Sequence, residues 1–314
     1  MKYLKIYQPF SLECGETLHE IDLAFTTQGT LNVQRDNVIW ICHALTANAD
    51  PSDWWSGLVG EGKLFDPRQY YIVCANILGS CYGATNANSR NPSTGQRYGR
   101  NFPIITIRDI VKSHRLLQET LGIQKIKLGI GGSMGGQQLL EWAIQDPNLF
   151  ENLCVLATNA QHSPWGIAFN EAQRMALEAD LTLYADSSEA GKRGLEAARA
   201  MALLSYRNYE TFNRTQHDDS EALEGFRATT YERYQGTKLS NRFTALAYRS
   251  LTKSMDSHNV GRGRGGVARA LSLITAKTLV IGIQSDILFP IEEQKVLADY
   301  IPQSTYKVID SPYG

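Results

Sequence analysis

Gly131-Gly132-Ser133-Met134-Gly135 sets a serine between glycines, a spacing in which a sharp chain reversal lifts a hydroxyl into a cleft as a nucleophile. A serine that attacks an acyl carbon needs a base to take its proton and a carboxylate to orient that base. It also needs two N–H groups aimed at the oxygen that becomes negative. Asp286, in Gln284-Ser285-Asp286-Ile287-Leu288-Phe289-Pro290, is the candidate carboxylate. The backbone N–H of Met134 and that of Leu45, in His43-Ala44-Leu45-Thr46, are the candidate oxyanion donors. A glycine-rich turn or a phosphate-binding loop is the competing reading. The stretch lacks both the Lys-Ser/Thr of a P-loop and a G-x-G-x-x-G spacing.

The base is harder to find. The six histidines are His19, His43, His114, His162, His217 and His258, and none follows Asp286, where the chain order serine, aspartate, histidine would put it. His43 lies near the oxyanion loop, but its neighbours point to a structural role. His114 on a helical pattern and His162 at a strand end read as packing or capping residues.

These groups must be held by a scaffold, and the sequence predicts one. Lys125 to Ile130 reads as a strand entering the serine turn, and Gln137 to Gln145 as the helix leaving it. Three further apolar runs, Val38–Cys42, Tyr71–Ala75 and Leu153–Ala157, have the unbroken hydrophobicity of strands buried on both faces. Ile107, Ile110, Val111, Leu117 and Leu121 form a helical stripe ending at Gly122, a C′ glycine. The turn-rich stretch Glu13 to Asn32 predicts antiparallel edge strands. Strand thus alternates with helix, and the serine stands on a strand–turn–helix elbow. That is the α/β-hydrolase fold, with a mostly parallel central sheet and helices on both faces.

From about residue 163 the pattern becomes helix after helix: Phe169–Ala179, Ser188–Ser205, Glu221–Gln235 and Phe243–Asp256. This predicts an inserted helical cap over residues 163–260, between core segments 1–162 and 261–314. Gly261-Arg262-Gly263-Arg264-Gly265-Gly266 reads as a solvated, flexible return, with an anion site as the alternative. A strand Thr278–Ile283, a helix Ile291–Tyr300 and a strand Thr305–Ile309 follow.

With 31 basic against 32 acidic residues, the chain gives no reason to expect nucleic acid as a partner. No run of about 18 apolar residues predicts a membrane span, and the N-terminus lacks the apolar segment of a signal peptide. The five cysteines are scattered, with Cys42, Cys74 and Cys154 inside apolar runs, which points to reduced thiols and a cytoplasmic protein. No metal site is expected.

Beyond the elbow, the chain resembles the homoserine O-acyltransferase family over essentially its whole length. The resemblance is carried by His43-Ala44-Leu45-Thr46, Asn76-Ile77-Leu78-Gly79-Ser80-Cys81-Tyr82-Gly83, Thr106-Ile107-Arg108-Asp109, Gly131 to Gly136, Ser205-Tyr206-Arg207 and Ser285 to Pro290. It implies a ping-pong transfer in methionine biosynthesis: Ser133 takes an acyl group from acetyl-CoA or succinyl-CoA and passes it to the hydroxyl of L-homoserine. It implies that Arg199 holds the acceptor's carboxylate, that Tyr206 lends a hydroxyl to the substrate site, and that the protein is a homodimer with no resident cofactor. Read without the resemblance, Arg199 is an ordinary solvated helix residue and Tyr206 a core aromatic.

Two departures stand out. Thr85-Asn86-Ala87-Asn88 replaces the family's Gly-Pro, and the family continues Ser311-Pro312-Tyr313-Gly314 with a His-Asp pair. The expectation is therefore a C-terminally truncated enzyme, inactive as it stands. The alternatives are an esterase or thioesterase of the same fold, or a non-catalytic binding protein built on it.

Overall fold

The computed structural model describes residues 1–219 and 221–313. Ser220, and Gly314 at the end of the second expected core segment, lie outside them.

The chain opens with strand β1 (Lys2–Ile6), a small antiparallel pair β2 (Phe10–Ser11) and β3 (Thr17–Leu18), and β4 (Ile21–Gln28). Then come β5 (Val38–Cys42), a short α1 (Pro51–Trp54), β6 (Tyr71–Ala75), α2 (Ile107–Thr120), β7 (Ile126–Gly132), α3 (Met134–Gln145) and β8 (Phe150–Leu156). Five helices follow before the sheet resumes: α4 (Pro164–Glu178), α5 (Lys192–Tyr206), α6 (Tyr209–Gln216), α7 (Arg227–Ser240) and α8 (Ala245–Asp256). The chain returns through α9 (Val267–Leu271), β9 (Lys277–Ile283), α10 (Ile291–Tyr300) and β10 (Ser304–Ile309).

Eight strands form one sheet in the order β1-β4-β6-β5-β7-β8-β9-β10, parallel from β6 to β10 and antiparallel at β1 and β4. Every residue of β5 is buried, as a central strand covered on both faces requires. β5 lies between β6 and β7, so the strand order reverses there and opens a crevice at the carboxyl ends of β5 and β7. α2 starts with a capping box, Thr106 and Asp109 bonding each other's backbone N–H, and Gly122 follows its C-cap with φ 68°. The edge strand is β1, from a stretch with no sequence assignment; of the Glu13–Asn32 region, β4 lies inside the sheet. Among the described residues no helix is long and apolar enough to cross a membrane.

The helical insertion is rooted in a two-stranded stem. Val260 N–H donates to the Ala160 carbonyl at 2.9 Å and His162 N–H to that of His258 at 3.0 Å, around a Gln161–Asn259 bridge. Within it, α6 is unforeseen by the sequence, and α7 runs on to Ser240 through Gly236, where the reading stopped a helix. Gly236 marks a close crossing: a Cβ there would lie 2.8 Å from the Glu196 carbonyl of α5.

The Gly261–Gly266 segment is largely exposed, as a solvated return should be, but its arginines are tied down rather than free. Arg262 pairs with Glu13 at 3.0 Å. Arg264 makes a bidentate pair with buried Glu141 of α3 at 2.5 and 2.8 Å, joined by Arg108 at 3.4 Å and by a Gln145 amide bond of 2.7 Å. Its glycines turn the chain tightly so that the arginines reach these carboxylates.

Candidate active site

Ser133 caps the N-terminus of α3, which begins at Met134, three residues earlier than the sequence predicts. Its backbone sits at φ 54°, ψ −126°, a conformation that costs on the order of 1–3 kcal/mol in a non-glycine residue. Neighbours hold it there. Ser133 N–H donates to the Leu156 carbonyl at 2.9 Å, and its carbonyl accepts from the Thr158 hydroxyl at 2.7 Å. Close approach accounts for the flanking glycines: a Cβ on Gly131 would lie 2.8 Å from the Cys42 carbonyl oxygen, and one on Gly135 would overlap it. The Ser133 hydroxyl has no hydrogen bond to any described residue.

The carboxyl end of β5 runs into the turn Ala44–Ala47, closed by an Ala47 N–H to Ala44 carbonyl bond of 3.1 Å. Among the described residues neither the Leu45 nor the Met134 N–H has an acceptor, so both are available to a bound oxyanion. His43 supports this turn from behind. It is fully buried, its Nδ1 pairs with the Ala44 carbonyl at 2.9 Å, and burial lowers its pKa to about 4. His114, pushed to about 4 by burial, is bonded to Gln138 at 3.0 Å and packs between Trp40 and Trp142. His162 stands 3.2 Å from Asn170, and His258 stands 3.1 Å from the Asn159 carbonyl.

Asp286 follows β9. One carboxylate oxygen accepts from the N–H groups of Leu288 and Phe289 at 2.8 and 2.9 Å, which fixes its direction. The other takes no hydrogen bond from a described residue. Burial pushes its pKa above the ordinary carboxylate value, and the nearby Glu293 carboxylate adds to the rise.

Helix α5 supplies the opposite wall. The Arg199 guanidinium lies 5.5 Å from the centroid of the Tyr206 ring, and its buried Nε has no acceptor among the described residues. Sequence reasoning missed Glu232 of α7, whose two buried carboxylate oxygens have no hydrogen bond among the described residues, and whose pKa is raised by burial against the pull of Arg199 and Arg207.

Leu45, Ser133, Arg199, Tyr206 and Asp286, together with Thr46, line one cavity of about 330 Å³ between core and insertion. Met134 is fully buried beside it. No histidine of the described residues lines this cavity.

A serine on a strained strand–helix elbow, at the reversal of strand order and with an aspartate after a later strand, defines an α/β-hydrolase. Residues 37–313 match the family described as alpha/beta hydrolase fold. A homoserine O-acetyltransferase of Cyclobacterium marinum is 52% identical over 98% of this chain and 88% of its own length. The chain therefore belongs to the homoserine O-acetyltransferase family. Among solved structures, the homoserine O-acetyltransferase from Bacillus anthracis superposes with a TM-score of 0.90 at 24% identity, covering 99% of this chain and 91% of that one. The acetyl esterase MekB superposes at 0.87 with 28% identity, covering 100% and 90%.

Proposed function

We propose that this chain is an O-acyltransferase of methionine biosynthesis that carries an acetyl group from acetyl-CoA to L-homoserine by way of acyl-Ser133. The Ser133 oxygen attacks the thioester carbonyl, and the oxyanion settles on the free N–H groups of Leu45 and Met134. Collapse of the tetrahedral adduct expels the thiol of CoA and leaves an ester on Ser133. The homoserine hydroxyl then attacks that ester, the same two amides hold the new oxyanion, and its collapse breaks the bond from the acyl carbon to the Ser133 oxygen, which takes up the proton given up by homoserine as O-acetyl-homoserine leaves. The segment 163–260 acts as a cap that keeps water from the ester.

One observation carries the acceptor assignment: the guanidinium of Arg199 faces the serine's cavity with a buried, unbonded Nε. An amino acid's carboxylate satisfies it with charge-assisted bonds, whereas water or a simple alcohol offers only a neutral acceptor and leaves the guanidinium's charge unmatched. Esterases are among the proteins similar to this chain in fold, and the Arg199 site is the feature of this chain that favours transfer to an amino acid over hydrolysis.

The unbonded oxygen of Asp286 is where an imidazole would be oriented toward Ser133. No imidazole of the described residues reaches it, so we propose that the 314-residue chain acylates slowly, by the roughly 10⁴- to 10⁶-fold that loss of a triad member costs. Free imidazole should accelerate it. The test is intact-mass detection of one acetyl group after incubation with acetyl-CoA and imidazole. Ser133→Ala should abolish the adduct, and an adduct that survives this change refutes the assignment.

A further inference from the structure

Arg242 lies in the turn between α7 and α8, far in sequence from the serine and outside its cavity. Its guanidinium crosses from the insertion to the core, where Nη1 donates to the Thr46 carbonyl at 2.7 Å and stands 2.7 Å from the Tyr82 hydroxyl. The turn that presents it is itself docked. Phe243, buried, meets the Tyr82 ring edge-on at 5.5 Å, and the Thr244 hydroxyl accepts from the Asn88 amide at 3.0 Å.

Thr46 is the residue after Leu45, in the middle of the turn closed by Ala44 and Ala47. His43 braces the Ala44 end from below. Among the described residues the Thr46 carbonyl takes its hydrogen bond from Arg242 alone, so without that bond this carbonyl has no hydrogen-bond donor to fix its direction. A free N–H stabilises an oxyanion only when it is aimed before the charge develops.

We infer that Arg242 is a positioning residue: by clamping the Thr46 carbonyl to the insertion, it aims the Leu45 N–H and ties oxyanion stabilisation to docking of the helical insertion. This rests on the reading of Leu45 as an oxyanion donor.

The test compares Arg242→Ala, Arg242→Lys and Tyr82→Phe in the 314-residue chain. Amide hydrogen exchange across residues 44–47 should speed up about 10-fold in Arg242→Ala, the lower end for a lost hydrogen bond to a charged group. The Tm should stay within a few degrees of the parent. Arg242→Lys, which keeps one charged donor, should restore most of the protection, and Tyr82→Phe should have a smaller effect than Arg242→Ala. With p-nitrophenyl acetate and imidazole, kcat should fall in Arg242→Ala while KM holds, because the effect is on the transition state. Unchanged exchange at residues 44–47, or protection lost equally in the lysine variant, overturns the inference whatever the turnover. Loss of esterolysis in Ser133→Ala alongside unchanged exchange in Arg242→Ala sinks this inference and leaves the acyl-serine reading standing. Esterolysis that persists in Ser133→Ala sinks that reading instead.

Discussion

Replacing Arg264 with alanine separates a strut from a linker. Glu141 is 1% exposed and receives both guanidinium N–H groups of Arg264, at 2.5 and 2.8 Å. Removing one partner of a buried pair leaves an uncompensated charge, at about 3–5 kcal/mol. Arg108 remains 3.4 Å away and the Gln145 amide still donates, so the lower end applies, about 3 kcal/mol. With an unfolding entropy of about 2.1 cal/mol/K per residue, that becomes a Tm drop of roughly 4–5 °C. The assay is urea unfolding of Arg264→Ala, Glu141→Leu and the double variant Glu141→Leu/Arg264→Ala, in a thermodynamic cycle. The double variant should be less destabilised than the sum of the singles, because it abandons no charge. A loss under about 0.5 kcal/mol in Arg264→Ala, or strict additivity, would refute the reasoning and make the Arg264–Glu141 pair structurally idle.

Arg199→Ala should lower kcat/KM for the amino-acid acceptor by about 10- to 150-fold, the range for a hydrogen bond to a charged group, and leave acylation by acetyl-CoA nearly untouched. Equal damage to both half-reactions, read by stopped-time mass spectrometry, would contradict it. His43, His114 and His162 are held neutral by burial, each with a pKa of about 4, and His258 with one of about 3. Below the unfolded value of about 6.5 the unfolded chain therefore binds more protons than the native one. Stability should fall as pH drops from 6.5 toward 4, by about 2 kcal/mol per histidine at pH 5. Flat urea midpoints between pH 6.5 and 5 would contradict this. Gly236→Ala should destabilise by about 1–3 kcal/mol because its Cβ meets the Glu196 backbone. An unchanged Tm would show that α5 and α7 can part freely.

What the sequence made legible is what chemistry confines to a few adjacent residues. Ser133 stands on an elbow whose glycines are demanded by the Cys42 carbonyl, so nucleophile, turn and helix appear together in five letters. Asp286 follows a strand in the chain order the fold requires. Arg199 was legible only through resemblance, since a cation on a helix looks the same whether solvated or aimed into a cavity. Arg242 and Arg264 were invisible because their partners, Thr46 and Glu141, are distant in the chain and meet them only after folding. Helix α6 was missed because it buries none of its residues and so leaves no apolar stripe to read. Gly236 misled for a related reason: helix-stop and helix-crossing glycines differ only in what lies opposite.

The stem at Ala160–His162 and His258–Val260 has a consequence for the molecule's modularity. Because the two ends of the insertion are hydrogen-bonded side by side, the central sheet experiences everything between them as it would a single hairpin loop. Closing that loop costs an entropy that grows only as the logarithm of its length, about 0.6 kcal/mol per doubling. Helices can therefore be lengthened, exchanged or re-angled above the stem with little effect on strand order below it. The chamber over Ser133 can then change shape above an unchanged elbow, provided the contacts that dock the insertion on the core, Arg242 on Thr46 and Asn88 on Thr244, are kept or replaced.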